Sequence, residues 1–181
     1  MGVETAMSQR VSGYVRKDDD LYETPSWVTA VLVGEGLREP YAVWEPAAGG
    51  GKIARVLRML LSAPVIETDI ATGTDFLTTS PPFGCDCIIT NPPYRRAQDF
   101  IERGVPLMEP VGGQIALLLR TDFDHAKTRR HLFECPQFAK KLVLTRRIRW
   151  FENTTGSPSF NHAWFLWDWK HSGPPILTYG P

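Results

Sequence analysis

Short apolar runs alternate along the chain with amphipathic stretches, and glycine- or proline-rich turns separate them. Tyr41-Ala42-Val43-Trp44, Val65-Ile66, Asp86 to Thr90 and Gln114 to Leu119 have the length and side chains of strands buried on both faces. Between the first two, Ile53, Val56, Leu57, Leu60 and Leu61 recur at i, i+3, i+4, i+7 and i+8. That spacing predicts a helix from about Lys52, with one apolar face, closed by Ser62-Ala63-Pro64. Residues 97–108 predict another helix, with Phe100, Ile101 and Leu107 inward, and residues 124–134 a basic one. Thr24-Pro25 predicts a helix start, Thr as N-cap and Pro at the first helical position. Trp27, Val28, Val31 and Leu32 are its apolar face, and Gly34 and Gly36 its end.

Near the C-terminal end, Leu142-Val143-Leu144 and Ala163 to Trp167 follow one another as strands across the loop 151–162, which suggests an antiparallel hairpin on one edge. Strands alternating with helices give an α/β fold, a doubly wound and mostly parallel sheet with right-handed crossovers. Residues 1–20 are polar and end in Asp18-Asp19-Asp20, a flexible N-terminal arm. The 181 residues fit a single domain over 21–181.

Composition narrows the class. Hydrophobic residues at 43% and charged residues at 22% are ordinary for a globular chain, and no apolar run is long enough for a membrane span. Three cysteines, two of them at 85 and 87, suggest free thiols and a cytoplasmic location rather than a disulfide framework or zinc site. A net charge of zero conceals an asymmetry. Residues 1–94 carry seven Lys/Arg and twelve Asp/Glu, a net of −5, whereas residues 120–149 carry nine against three, a net of +6. Such a basic concentration, with Arg146, Arg147 and Arg149 at its end, is the footprint of a nucleic-acid face, although a solvated, salt-bridged surface has the same composition.

The most informative stretch is Ile88-Ile89-Thr90-Asn91-Pro92-Pro93-Tyr94. An apolar strand stops at two prolines, which have no N–H for a ladder and fix φ near −65°. The result is a stiff loop at a strand end. It holds the Asn91 amide, the Pro92 and Pro93 carbonyls and the flat Tyr94 ring, a set suited to a planar group carrying an NH2. Asn91 as a turn cap and Tyr94 as ordinary packing would leave the same pattern.

Glu45-Pro46-Ala47-Ala48-Gly49-Gly50-Gly51 follows the first strand and leads into a helix. A strand, a glycine turn and a helix N-terminus let backbone N–H groups approach a ligand closely. Glu45 ends the strand, where an ammonium can be met. Asp69 ends the next strand and can accept from ribose hydroxyls, while Asp75-Phe76 offers an acceptor and an apolar face to an adenine.

Taken together, Glu45 to Gly51, Asp69, Asp75-Phe76-Leu77 and Asn91 to Tyr94 resemble the class I S-adenosylmethionine-dependent methyltransferases, over roughly residues 21–170. The order of motifs is similar to the gamma group of adenine-N6 DNA methyltransferases. The resemblance implies a Rossmann-like, seven-stranded sheet, S-adenosyl-L-methionine as cofactor and nucleic acid as partner, most of all DNA. It implies that Tyr22, Thr24, Glu45, Pro46, Ala47, Gly49, Gly51, Asp69, Asp75, Phe76 and Asn91 bind the cofactor. Asn91, Pro92 and Tyr94 would be catalytic, the first two by accepting the amine's N–H bonds. Pro93, Tyr94, Phe160, Arg146, Arg147 and Arg149 would face the substrate, with Trp150 and Phe151 as other aromatics of the same loop. Direct transfer of this kind needs neither metal nor histidine.

Two departures bear on the substrate. The chain has no length for a separate target-recognition domain, and residues 1–20 cannot supply the helical domain usual in glutamine-N5 protein methyltransferases that share Asn-Pro-Pro-Tyr. RNA adenine, cytosine N4, a glutamine amide, or binding without catalysis remain the alternatives.

Overall fold

A computed structural model describes residues 23–150 and 160–181. The helices are α1 (Ser26–Glu35), α2 (Lys52–Leu60), α3 (Ala97–Met108) and the single-turn α4 (Arg130–Phe133). The strands are β1 (Val43–Glu45), β2 (Val65–Glu67), β3 (Cys87–Thr90), β4 (Gln114–Arg120), β5 (Phe138–Leu144), β6 (His162–Asp168) and β7 (Ile176–Gly180). They form one sheet in the order β2-β1-β3-β4-β6-β5-β7. Only β6 runs against its neighbours, antiparallel to both β4 and β5. Apolar clusters lie on both faces of the sheet: Ile88, Ile115, Leu117, Phe165 and Trp167 on one, Val43, Ile89, Ala116, Leu118 and Trp164 on the other. This alternation along each strand is what a sheet covered on both sides requires.

The expected α/β sheet and its antiparallel hairpin are present, with three differences. The hairpin strand β6 is interior, and the edge beyond it is β7, which pairs in parallel with β5 from Lys140↔Ile176 to Leu144↔Gly180. β7 is not predicted from the sequence, because Ile176-Leu177-Thr178-Tyr179 is short and its state is set by its partner rather than by its own period. Second, no single basic helix occupies 124–134. Two 3₁₀ turns, Phe123–His125 and Lys127–Arg129, flank an extended Ala126 before α4. Tertiary bonds favour that break: Lys141 Nζ takes the Thr121 carbonyl at 2.9 Å and Asp124 Oδ2 at 2.6 Å, and Phe123 and Phe133 both pack on Phe165. Third, Leu60 is half exposed, because α2 ends there and Leu61 turns extended.

α1 also begins one residue later than Thr24-Pro25 predicts. Pro25 stands at the cap position, no side chain caps the helix, and the Pro25 carbonyl accepts the Val28 N–H at 3.0 Å. Thr24 is therefore not the N-cap. The arm 1–20, Tyr22 and Phe151 lie outside the described residues.

Candidate cofactor and amine site

Sheet order reverses between β1 and β3, since β1 leads outward to β2 and β3 leads the other way to β4. At such a point the loops leaving the carboxyl ends of two strands diverge and open a crevice. Glu45 is the last residue of β1 and Asn91 the first after β3, so the two sequence motifs face one crevice.

The glycine turn is stitched to the end of β2. The Ala48 N–H donates to the Thr68 carbonyl at 3.0 Å, and the Thr68 N–H to the Glu45 carbonyl at 2.9 Å. Pro46 is buried and Ala47 packs on the core. Gly51 caps α2 with φ +72°, a left-handed conformation that costs any L residue about 1–2 kcal/mol. A Cβ there would also stand 3.0 Å from Glu67 Oε2. Gly51→Ala is accordingly expected to lower the free energy of unfolding by about 1–2 kcal/mol, read as a fall in the urea midpoint. At Gly50 a Cβ would run into the Glu23 carboxylate, which places the segment before α1 over the glycine turn.

Two buried oxygens in this region have no hydrogen-bond partner among the described residues. One is the hydroxyl of Thr24, a residue 3% exposed; the other is Glu45 Oε2, on a residue 1% exposed. An unmet buried carboxylate oxygen costs several kcal/mol unless the group is protonated or meets a cation. Burial pushes the Glu45 carboxyl up to about 8, Glu67 and Asp69 push in the same direction, and the Ala54 N–H and Arg58 oppose them. A buried carboxyl next to two further acids is a place where a cationic group would be stabilised.

The acids at and after the end of β2 have distinct local partners. Asp69 Oδ2 accepts the Gly49 N–H and Oδ1 the Ala71 N–H, both at 2.8 Å, so Asp69 fastens the glycine turn to the following 3₁₀ turn. Glu67, which stands opposite Glu45 in the β1–β2 register, is exposed, meets Arg58 at 3.3 Å and overlies Gly51. Glu67 is not among the site residues expected from the sequence, where Asp69 reads as the strand end, whereas β2 ends at Glu67. The available signal was the strand-end position itself. Asp75 Oδ1 accepts the Leu77 N–H at 2.9 Å. Phe76 is 2% exposed, with Trp44 at 5.1 Å and Phe100 at 4.6 Å between ring centroids. Its ring belongs to the core, which corrects the expectation of a ligand-facing platform.

On the other side of the crevice, Pro92 is buried and Pro93 exposed. The Pro93 carbonyl is taken by the Arg96 N–H at 2.8 Å, whereas the Pro92 carbonyl accepts no hydrogen bond among the described residues. Tyr94 opens a 3₁₀ turn leading into α3 and is 36% exposed. Phe160, 41% exposed, lies 4.2 Å over the Arg120 guanidinium, within cation–π range. Arg146 covers Trp27 at 5.0 Å, Arg147 donates to Asn161 Oδ1 at 3.0 Å, and Arg149 is exposed. These arginines follow the carboxyl end of β5, on the crevice side of the sheet. Arg120, the first residue of the basic span, and His162, not among the site residues expected from the sequence, stand at the same end.

No protein-family model matches the chain, and no curated protein sequence does. Solved structures do match its fold. A type I restriction-modification methyltransferase subunit from Streptococcus thermophilus superposes with TM-score 0.54 at 13% identity, over 81% of this chain and 43% of its own. A putative class I S-adenosylmethionine-dependent methyltransferase from Listeria monocytogenes gives 0.55 at 11% identity, over 87% and 64%. The fold is that of the class I S-adenosylmethionine-dependent methyltransferases. A putative RNA methyltransferase from Pyrococcus horikoshii shares it as well, with TM-score 0.56 and 11% identity over 78% of this chain and 81% of that one. The chain thus spans less than half of the Streptococcus subunit and under two thirds of the Listeria protein. Among the described residues no helix is long and apolar enough to cross a membrane, and no three His, Cys, Asp or Glu side chains are grouped to hold a metal.

Proposed function

We propose that the chain is an S-adenosyl-L-methionine-dependent methyltransferase acting on the exocyclic amino group of a nucleobase, adenine N6 in DNA above all. The observation that carries the cofactor half is the Glu45 carboxylate oxygen beside a glycine turn and the Thr24 hydroxyl, both buried and without a hydrogen-bond partner among the described residues. Glu45 would hold the ammonium of the methionine part, with Thr24 as a second polar contact. Gly49 and Gly51 would let backbone approach the ligand. Glu67 takes over from Asp69 as the foremost candidate for the ribose hydroxyls, and Asp75 remains the candidate for the adenine amine. Bound there, the cofactor supplies an electrophilic methyl group on a sulfonium.

The rest is the work of Asn91, Pro92 and Tyr94. An exocyclic aromatic amine is a weak nucleophile because its lone pair is delocalised into the ring. The Asn91 side-chain oxygen and the Pro92 carbonyl would accept one N–H each and draw the nitrogen toward a tetrahedral shape, which localises the lone pair. Because the prolines fix the loop, these dipoles need no reorganisation during reaction. Tyr94 would stack on the base, worth roughly 1–3 kcal/mol in single-strand binders, and Phe160 would offer a second ring. A base within a duplex must be flipped to reach such a crevice. Arg146, Arg147 and Arg149 would meet the phosphates, so that binding weakens steeply as salt rises.

Isothermal calorimetry with S-adenosyl-L-methionine tests the first half of this reading. Micromolar affinity is expected on the order of −8 kcal/mol, and no measurable heat or competition would sink the enzyme reading in favour of a binding module.

A further inference from the structure

His162 opens β6 and is 2% exposed. Because β6 is antiparallel, its first residue lies at the crevice end of the sheet, opposite Arg120, the last residue of β4. The Tyr94 hydroxyl is 3.0 Å from His162 Nε2. The two rings also stack, with centroids 5.9 Å apart and planes 29° apart, and Trp150 meets the imidazole edge-on at 5.2 Å and 82°. Tyr94 therefore reaches past the end of β4 from the loop after β3 to the start of β6, linking residues 68 apart in sequence.

We propose that His162 is a positioning residue for Tyr94, holding the phenol by its hydroxyl and by ring stacking so that its exposed part is fixed at the crevice as the base's platform. This rests on Tyr94 being the base's stacking partner. The prolines fix the Tyr94 backbone but not its side-chain torsions, and a platform is useful only where those are set as well. The hydrogen bond and the stack set them. Stacking alone would be served by phenylalanine; the bond to His162 gives the tyrosine hydroxyl a use. Burial first, and then the Arg120 charge, push His162 down to about 4, against Asp122 and the Phe160 backbone, which raise it. The ring is thus neutral near pH 7 and can accept at Nε2, whereas an imidazolium only donates.

The test uses the full chain, a single-stranded DNA oligonucleotide with one adenine, and 3-fluorotyrosine at position 94. Tyr94→Phe and His162→Phe are each expected to lower kcat/KM about 5–10-fold, the size of one hydrogen bond, chiefly through KM. The double variant is expected to lose no more than about twofold beyond either, with cofactor affinity unchanged throughout. His162→Gln, which keeps an acceptor, is expected to recover part of the loss. In wild type the fluorine resonance is expected away from that of free fluorotyrosine, and His162→Phe to move it back. An unmoved resonance, or losses that multiply in the double variant, would overturn the positioning role. Wild-type protein that moves the resonance but methylates no oligonucleotide would instead overturn the proposed function, and leave the contact merely structural.

Discussion

Asn91→Ala is expected to lower methyl transfer by on the order of 10²–10³-fold, the range for removing one preorganised dipole from a reacting group. The affinity for S-adenosyl-L-methionine should change by no more than about threefold, well under the 1.4 kcal/mol that a tenfold change represents. The split is the informative part. Asn91 follows β3, across the crevice from Glu45, and its role as acceptor concerns the amine. Single-turnover transfer and calorimetry on the same preparation check both halves. Equal loss of transfer and cofactor binding would make Asn91 a structural residue of the loop.

Glu45→Gln has the second large effect, and it acts in two directions. Loss of a charge-assisted contact to the cofactor's ammonium is expected to weaken binding on the order of 10–100-fold. The same change should stabilise the free protein at alkaline pH. Burial holds the folded-state carboxyl at about 8, above its usual value of 4.5. A group raised in this way favours folding while it is protonated, so its contribution is complete below 4.5 and is lost as pH rises to about 8. Glutamine mimics the neutral form at every pH. Thermal melts are therefore expected to show variant and wild type alike near pH 4 and the variant higher above pH 8, by a free energy on the order of 5 kcal/mol at ~1.4 kcal/mol per pH unit. For wild type, cofactor binding should release a proton below about pH 8, and its affinity should rise up to tenfold per pH unit toward that value. Binding heats in buffers of different ionisation enthalpy measure that proton directly. A variant that binds as wild type does would remove Glu45 from the cofactor site.

Much of the sheet was legible because its strands are apolar on both faces. Ile88-Ile89 and Gln114 to Leu119 need no partner to be read as buried, and residues 97–108 are one helix as their period requires. The hidden parts depend on partners distant in the chain. β7 exists by pairing with β5, and the basic span 124–134 breaks because Lys141 holds Asp124 and the Thr121 carbonyl. In the crevice, residues stiffened by local chemistry were visible: the glycine turn, the two prolines, the strand-end Glu45. Residues whose place depends on tertiary packing were not. Phe76 follows an acid as a ligand-facing ring would, yet Trp44 and Phe100 take it into the core. Nothing in the local sequence marks His162, which precedes an apolar run, and it is the antiparallel sense of β6 that puts it against Tyr94.

The most direct test is transfer of radiolabelled methyl from S-adenosyl-L-methionine to DNA, RNA and protein pools, followed by nucleoside analysis of whatever is labelled. Label in DNA that co-migrates with N6-methyladenine is the predicted result, and label confined to protein would contradict it.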